Sequence, residues 1–452
     1  MKISNLFYSV FAAAAFLLAS CEDKEEGCKT VCTGDTVLTA DCNCVAIVVD
    51  PCVDVVCPEG SACANGTCVK LEVPITSETR AGLLAADETW TADRIYTLQG
   101  KVVVDAGITL TIEPGTIIKG SKGTGSLASA LVVARGGKLM AEGTAEAPIV
   151  FTALDDNISI GEKFGTNLDE TNNSEWGGLI ILGSAPISAR GGADAQIEGI
   201  PADDSYGAYG GNNPTDNSGV IKYVSVRHGG ALIGDGNEIN GITLGGVGSG
   251  TVMEYVEVVG NKDDGIEFFG GSVNLSYGLV WGQNDDGYDI DQSYSGTIDG
   301  SIYIAGIESD HAMEIDGPEN AINPDGLFTV KNSSFKGLSG EYADWRSGAQ
   351  GSLLNNYFFN FTDGDDIELD NDGVSANYAA GKIIIMGNEF KLPEAVTDFS
   401  SIFSDKSENG DDAKFKADMA AGNSVVATRT VGADPANFAW TFAASKNALQ
   451  GF

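Results

Sequence analysis

The chain is short of positive charge. Lys and Arg together number 26 against 64 Asp and Glu, for a formal net charge of −38. Nucleic acids and anionic bilayers are held by basic clusters, so both partner classes are disfavoured. Histidine is scarcer still. His228 and His311 are the only two, which leaves no His-rich metal site. No Cys occurs after Cys68, so the long remainder has no thiol nucleophile, and no G-x-S-x-G turn offers a hydrolase serine. Gly245-Gly246-Val247-Gly248-Ser249-Gly250 lacks the Lys-Ser/Thr and the helix of a phosphate loop, and reads as a turn. Proline is sparse, 12 residues against 59 Gly, which points to tight turns rather than Pro-rich linkers. Apolar residues at helical spacing are nearly absent; Asp411 to Met419 is the one candidate short helix.

What is present falls into segments. Lys2 precedes the apolar run Phe7 to Leu18, which is too short to span a bilayer but has the layout of a secretory signal. The run ends on Leu18-Ala19-Ser20-Cys21. That tetrad resembles the lipobox of bacterial lipoproteins, whose Cys is acylated and becomes the first mature residue. The resemblance implies a signal over 1–20 and a membrane anchor through lipid on Cys21, each buried methylene contributing about 0.8 kcal/mol. An ordinary signal peptide with a chance Cys is the alternative. Glu22-Asp23-Lys24-Glu25-Glu26 lies within a tether over 21–27. It reads either as a solvated spacer or, by resemblance to the acidic export tag of Bacteroidota lipoproteins, as a signal for the outer face of the outer membrane.

Eight further Cys crowd into 28–68: Cys28, Cys32, Cys42, Cys44, Cys52, Cys57, Cys63 and Cys68. An even number in a short exported segment reads as a disulfide framework, its connectivity open. The run from Asp50-Pro51-Cys52 to Cys68 resembles a truncated EGF-like module. Zinc is the competing reading, against which stand the absence of His in the segment and an oxidising compartment. Residues 69–88 read as a linker.

From 89 to 452 the texture is short β-branched runs separated by Gly, Asn and Asp, among them Leu110-Thr111-Ile112, Leu179-Ile180-Ile181-Leu182 and Ile383-Ile384-Ile385. These runs also repeat. Asp263-Asp264-Gly265-Ile266-Glu267-Phe268 is followed by Asp285-Asp286-Gly287-Tyr288-Asp289-Ile290, then Asp310-His311-Ala312-Met313-Glu314-Ile315 and Asp365-Asp366-Ile367-Glu368-Leu369. A second column recurs at Asn332 to Phe335, Asn355 to Phe358 and Gly387 to Phe390. A period in the low twenties with short strands predicts an all-β chain, a parallel β-helix preceded by a small disulfide-rich segment. Longer spacings mark loops inserted at turns.

From about Trp90 onward the chain resembles a family of extracellular right-handed β-helix proteins, surface lipoproteins of Bacteroidota and related bacteria. The likeness is carried by Thr111-Ile112-Glu113-Pro114-Gly115-Thr116, Ala141-Glu142-Gly143-Thr144-Ala145-Glu146-Ala147-Pro148, Trp176-Gly177-Gly178 and Asp263-Asp264-Gly265-Ile266-Glu267-Phe268-Phe269-Gly270-Gly271. It implies architecture and no particular activity, since fold does not give function.

Strand alternation predicts that Asp264, Asp286, Asp366 and His311 collect near one turn, with Glu267, Asp289, Glu314 and Glu368 a few residues along. Carboxylates about 5 Å apart repel unless solvated, protonated, hydrogen-bonded or shared with a cation. Ca2+ is the fitting ion, taking six to eight hard oxygens; the alternative is that these Asp residues cap turns. For a polysaccharide lyase, Arg346 beside Trp345 is the candidate base, with pairing to a ladder carboxylate as its alternative role, and for a glycosidase two acids such as Asp286 and Asp289 are the candidate pair. Trp281, Tyr288, Tyr294 and Trp345 are candidate platforms for sugar rings, with the core as the competing location. Phe438-Ala439-Trp440-Thr441-Phe442 is expected to cover the last coil, shielding a sheet edge. The composite expectation is a lipid-anchored, non-enzymatic surface module for binding, adhesion or envelope structure that engages polysaccharide or a cell-surface protein, with calcium as an optional ligand. The alternative is a calcium-dependent polysaccharide lyase or glycoside hydrolase.

Overall fold

The computed structural model describes residues 32–33, 36–38, 43–46, 51–52, 55–57, 61–64, 67–70, 76–201, 204–234, 237–338 and 340–452. The signal over 1–20, the lipid site Cys21, the tether over 21–27, Cys28 and Cys42 lie outside them. The chain divides into two units, the first reaching Pro74 and the second starting at Ile75.

In the first unit two antiparallel hairpins, Thr36–Leu38 with Cys44–Ala46 and Ser61–Ala64 with Thr67–Lys70, are stapled by disulfides. The bonds join Cys32 to Cys44, Cys52 to Cys63 and Cys57 to Cys68. Six of the eight expected cysteines are thus paired.

In the second unit 28 described strands form one continuous hydrogen-bonded ladder, in which strands repeating at coil spacing pair in parallel. The coils stack as three sheets. The first sheet runs from Lys101–Val104 through Ala130–Val133, Leu179–Leu182, Ile242–Gly245, Ile266–Phe269, Tyr288–Asp291, Met313–Ile315, Ala343–Trp345 and Ile367–Leu369 to Phe403–Asp405. The second ends on Gly351–Leu354 and Ile383–Met386; the third ends on Tyr357–Phe359, Glu389–Lys391 and Ser424–Val425. This is the parallel β-helix that the repeats predict.

Inside, like residues stack on like. Phe335, Phe358 and Phe390 lie in parallel stacks with centroids 4.8 and 4.9 Å apart, the spacing of neighbouring strands. The second repeat column is a buried amide ladder. Ser333, Asn356 and Asn388 donate their backbone N–H groups to the side-chain oxygens of Asn356, Asn388 and Asn423 on the next coil, each at 2.9 Å. Each of these Asn side chains also donates, to Val330, Leu353 and Ile385 carbonyls respectively. Turn polar groups inside the solenoid are thereby satisfied. The residue before two of these Asn bends the chain through the left-handed region, Asn355 (φ 55°) before Asn356 and Gly387 (φ 70°) before Asn388.

Three expectations are corrected. Ser77–Leu83 and Glu88–Trp90, placed in the linker over 69–88, are strands of the solenoid, paired with Ile95–Val104 and Thr109–Ile112. The aromatic tail does not close the last coil. Phe438 and Phe442 lie against Val259, Leu279, Ile302 and Ile304 on the flank of the third sheet, and the buried Glu257 carboxylate accepts from the N–H groups of Phe442 and Ala443. The last coil is covered instead by helix α2 (Asp412–Gly422), which turns Phe415 and Met419 inward; this is the expected helix over 411–419. Helix α1 (Asp372–Ala379), capped by Asn371, was not expected, since eight residues are too few for a clear period.

Candidate functional site

One register position on the first sheet changes character along the solenoid. It reads Val103, Val132, Ile180, Thr243, then Glu267, Asp289, Glu314, Asp344, Glu368 and finally Ser404. All face outward. The aliphatic part is covered by the insertion over 183–216, with Ile187, Ile197, Ile200 and Tyr209 packed against it. Such strands are buried on both faces, as at Leu179–Leu182. Beyond Thr243 the cover ends and five carboxylates follow in register.

Two further columns flank them. Toward the preceding turn stand Asp264, Asp286, His311 and Glu341. Asp264 Oδ1 accepts from the Asp286 N–H at 2.9 Å, and Asp286 Oδ1 from the His311 N–H at 2.8 Å. Two residues beyond the central column stand Asp291, Asp316, Arg346, Asp370 and Lys406. The wall on that side is made where 183–216 meets the loop over 316–326. There Asn323 donates to the Ile187 carbonyl at 3.0 Å, and Glu319 accepts from the Arg190 N–H at 2.6 Å.

The strip divides electrostatically. In its lower part cations neutralise the acids. Arg346 grips Asp316 at 2.6 Å and touches Glu314, while Lys406 pairs with Glu368 and lies 3.9 Å from Asp366. His311 Nδ1 is 2.8 Å from Asp286 Oδ1. Burial opposes charge on His311, but the Asp286 hydrogen bond and the surrounding carboxylates carry it up to about 9. In the upper part no cation among the described residues intervenes. Oxygens of Asp264, Glu267 and Asp289 lie within 4.8 Å of one another. Burial first, and then the charges of neighbouring carboxylates (Asp289 on Asp264 and Glu267, Asp291 and Asp286 on Asp289), pushes all three carboxyls well above the ordinary range. The same causes lift Asp263 and Asp291 to about 7. Asn240, 1% exposed, reaches into this group through its amide, which donates to Glu267. Asn240 Oδ1 and Asp289 Oδ1 are buried without a hydrogen-bond partner.

Three converging carboxylates are a hard-oxygen donor set. A cation such as Ca2+ suits it, being adaptable in geometry and content with six to eight oxygens. Asp264, Glu267 and Asp289 would hold it, with the Asn240 amide donating to Glu267 beside them.

Of the acids the sequence singles out, the structure brings all seven onto one strip: Asp264, Glu267, Asp286, Asp289, Glu314, Asp366 and Glu368. Asp286 also does what the turn-capping alternative requires. The aromatic platforms are not there. Tyr288, Tyr294 and Trp345 are interior residues, 0%, 1% and 0% exposed. Strand alternation explains two of them: Tyr288 precedes the outward Asp289, Trp345 follows the outward Asp344, and so both point in. The Tyr288 and Tyr294 hydroxyls donate to the carbonyls of Ile302 and Val273. Trp281 belongs to the third sheet and floors a separate cleft of about 360 Å3 with Glu170, Asn284, Ile304 and Leu338.

Residues 82–441 match the family described as the pectate-lyase like beta helix domain. The chain belongs to this family. No match was found among curated proteins or among solved structures. Membership in the pectate-lyase like beta helix family fits the stacked parallel sheets and leaves the chemistry to the strip. Sequence reading missed Asn240, Asp344 and Lys406. Asp344 was legible in principle: Tyr342-Ala343-Asp344-Trp345 alternates as Ala312-Met313-Glu314-Ile315 does.

Proposed function

We propose that the acidic strip of the first sheet is a calcium-dependent binding surface for an acidic polysaccharide, carried by a lipoprotein anchored through Cys21 at the outer face of the outer membrane. The observation that supports it best is the bare upper cluster. Among the described residues Asp264, Glu267 and Asp289 converge with no basic side chain to balance them, and Asn240 and Asp289 each leave a buried oxygen unpartnered. A bound divalent cation relieves that repulsion and leaves coordination positions for carboxylates of a glycan. The wall built from 183–216 and 316–326 gives the strip a side against which an extended chain can lie. Arg346 is held by Glu314 and Asp316, which keep its guanidinium charged and so ill suited to abstracting a proton.

The lyase reading is favoured by one observation, that Arg346 stands amid the carboxylates Glu314, Asp316 and Asp344 in a pectate-lyase like domain. Retention on immobilised polygalacturonate, with and without calcium, tests the proposal. The expected result is calcium-dependent retention without product, abolished in Asp289→Asn and Glu267→Gln. Retention that ignores both chelator and substitutions contradicts it. Release of unsaturated uronate products, lost in Arg346→Ala, establishes the lyase instead.

A further inference from the structure

The second sheet ends at Ile383–Met386, which pairs with Gly351–Leu354 and with no other strand among the described residues. Gly351 and Asn355 donate their N–H groups to the carbonyls of Lys382 and Met386. In a parallel ladder the intervening residues turn their backbone groups the other way. Those residues are Ile383 and Ile385. The Ile385 carbonyl accepts from Asn423 Nδ2 at 3.1 Å. The N–H groups of both residues and the Ile383 carbonyl meet no partner among the described residues.

Beyond this edge α2 stands where chain order would put the next strand of the sheet, between Phe403–Asp405 and Ser424–Val425. Helix and strand meet at one end, where the Gly387 N–H donates to the Gly422 carbonyl at 2.8 Å; over the rest a cleft of about 650 Å3 separates them. Its outer lip is apolar, with Ile384 43% and Met386 58% exposed. Its rim is acidic. Asp372, Asp405, Asp411 and Asp418 line it against one cation, Lys414, whose ammonium is taken by Asp418. Open edges are usually blunted by Lys, Pro or a covering element, and here α2 covers the strand only at its Met386 end. Ile383-Ile384-Ile385-Met386 carries neither residue, and Lys382 just before it is directed to Asp325.

We propose that this cleft accepts an extended peptide of a partner protein as an added strand along Ile383–Met386, the peptide alternating apolar and basic side chains. Main-chain bonds to Ile383 and Ile385 would supply affinity. Contacts to Ile384 and Met386 on one face, and to the aspartates around the rim, would supply selection. The proposal is independent of the acidic strip, which lies on the first sheet.

The test titrates the full chain against a fluorescein-labelled, end-capped peptide alternating Val and Lys, read by anisotropy. Saturable binding is expected. It should weaken about tenfold or more when alternate peptide nitrogens are methylated, when the Lys residues are replaced by Glu, and in Ile384→Asp. Met386→Lys, at a still more exposed position, serves if Ile384→Asp fails to fold. Absence of saturation, or equal binding by the N-methylated peptide, overturns the proposal. So does a concentration-dependent dimer that is abolished by Ile384→Asp and binds no peptide, which would give the edge to a second copy of this chain.

Discussion

Asp264 and Asp286 sit on adjacent coils, tied by the Asp286 N–H donating to Asp264 Oδ1 at 2.9 Å. The same carboxyl that caps a turn also faces Glu267 and Asp289 across less than 5 Å. Capping and cation binding are therefore two uses of one side chain, and substitutions separate them. Asp264→Ala removes the acceptor and should cost about 1–3 kcal/mol. Asp264→Asn keeps an acceptor and removes a charge, so without divalent cations it should unfold at equal or higher urea than the parent. Parallel urea titrations of both variants check this.

Acidification should stabilise the cation-free protein. Asp263 and Asp291 are raised to about 7, Asp285 to about 6 and Glu341 to about 7, burial being the leading cause in each. Between an unfolded carboxyl value of about 4 and these values, the folded chain binds more protons than the unfolded one. Stability from these groups is fully present below about pH 4 and is lost as pH rises through about 7. Urea midpoints in chelator should fall from pH 5 to pH 8, and calcium should flatten the slope.

The tail is latched by one buried acid. Glu257 accepts from the Phe442 and Ala443 N–H groups at 3.0 and 2.9 Å and from Ser225 Oγ at 2.6 Å, with Arg227 3.9 Å away. Arg227 is itself packed between Phe164 and Phe442. Glu257→Ala removes the carboxylate nearest the buried Arg227 guanidinium and leaves two N–H groups unpaired, and should cost about 3–5 kcal/mol. Limited proteolysis should then cut between 427 and 452 first, the coils staying protected.

Asn388 tests the amide ladder. It is fully buried and bonded to the coils on both sides. Asn388→Ala should cost about 2 kcal/mol, and Phe358→Ala, which opens a gap between Phe335 and Phe390, about 3–5 kcal/mol. Because each coil touches only its neighbours, hydrogen exchange should quicken mainly in the C-terminal coils.

The solenoid was legible because its repeat is chemical as well as spatial. Asp264-Gly265-Ile266-Glu267 and Asp286-Gly287-Tyr288-Asp289 keep acid, turn and inward apolar residue in step, and stacking turns that sequence period into contact. Elements lacking the period were not legible. Lys406 arrives after the irregular stretch 392–402, and Asn240 belongs to a coil in which the repeat reads Asn-Gly-Ile-Thr. Which strands receive a cover is decided by where the insertion over 183–216 folds back, a tertiary outcome. Tyr288 and Trp345 were misassigned for want of the alternation argument that Asp289 and Asp344 supply.

The most direct test is calcium titration calorimetry at pH 7.5 on the parent chain, Asp289→Asn and Glu368→Gln. The upper cluster should bind one cation and raise the melting temperature; Asp289→Asn should lose both effects. Glu368→Gln, whose carboxyl is already paired with Lys406, should keep them. Absence of heat and of thermal shift in the parent, or equal binding by Asp289→Asn, would contradict a cation at Asp264, Glu267 and Asp289.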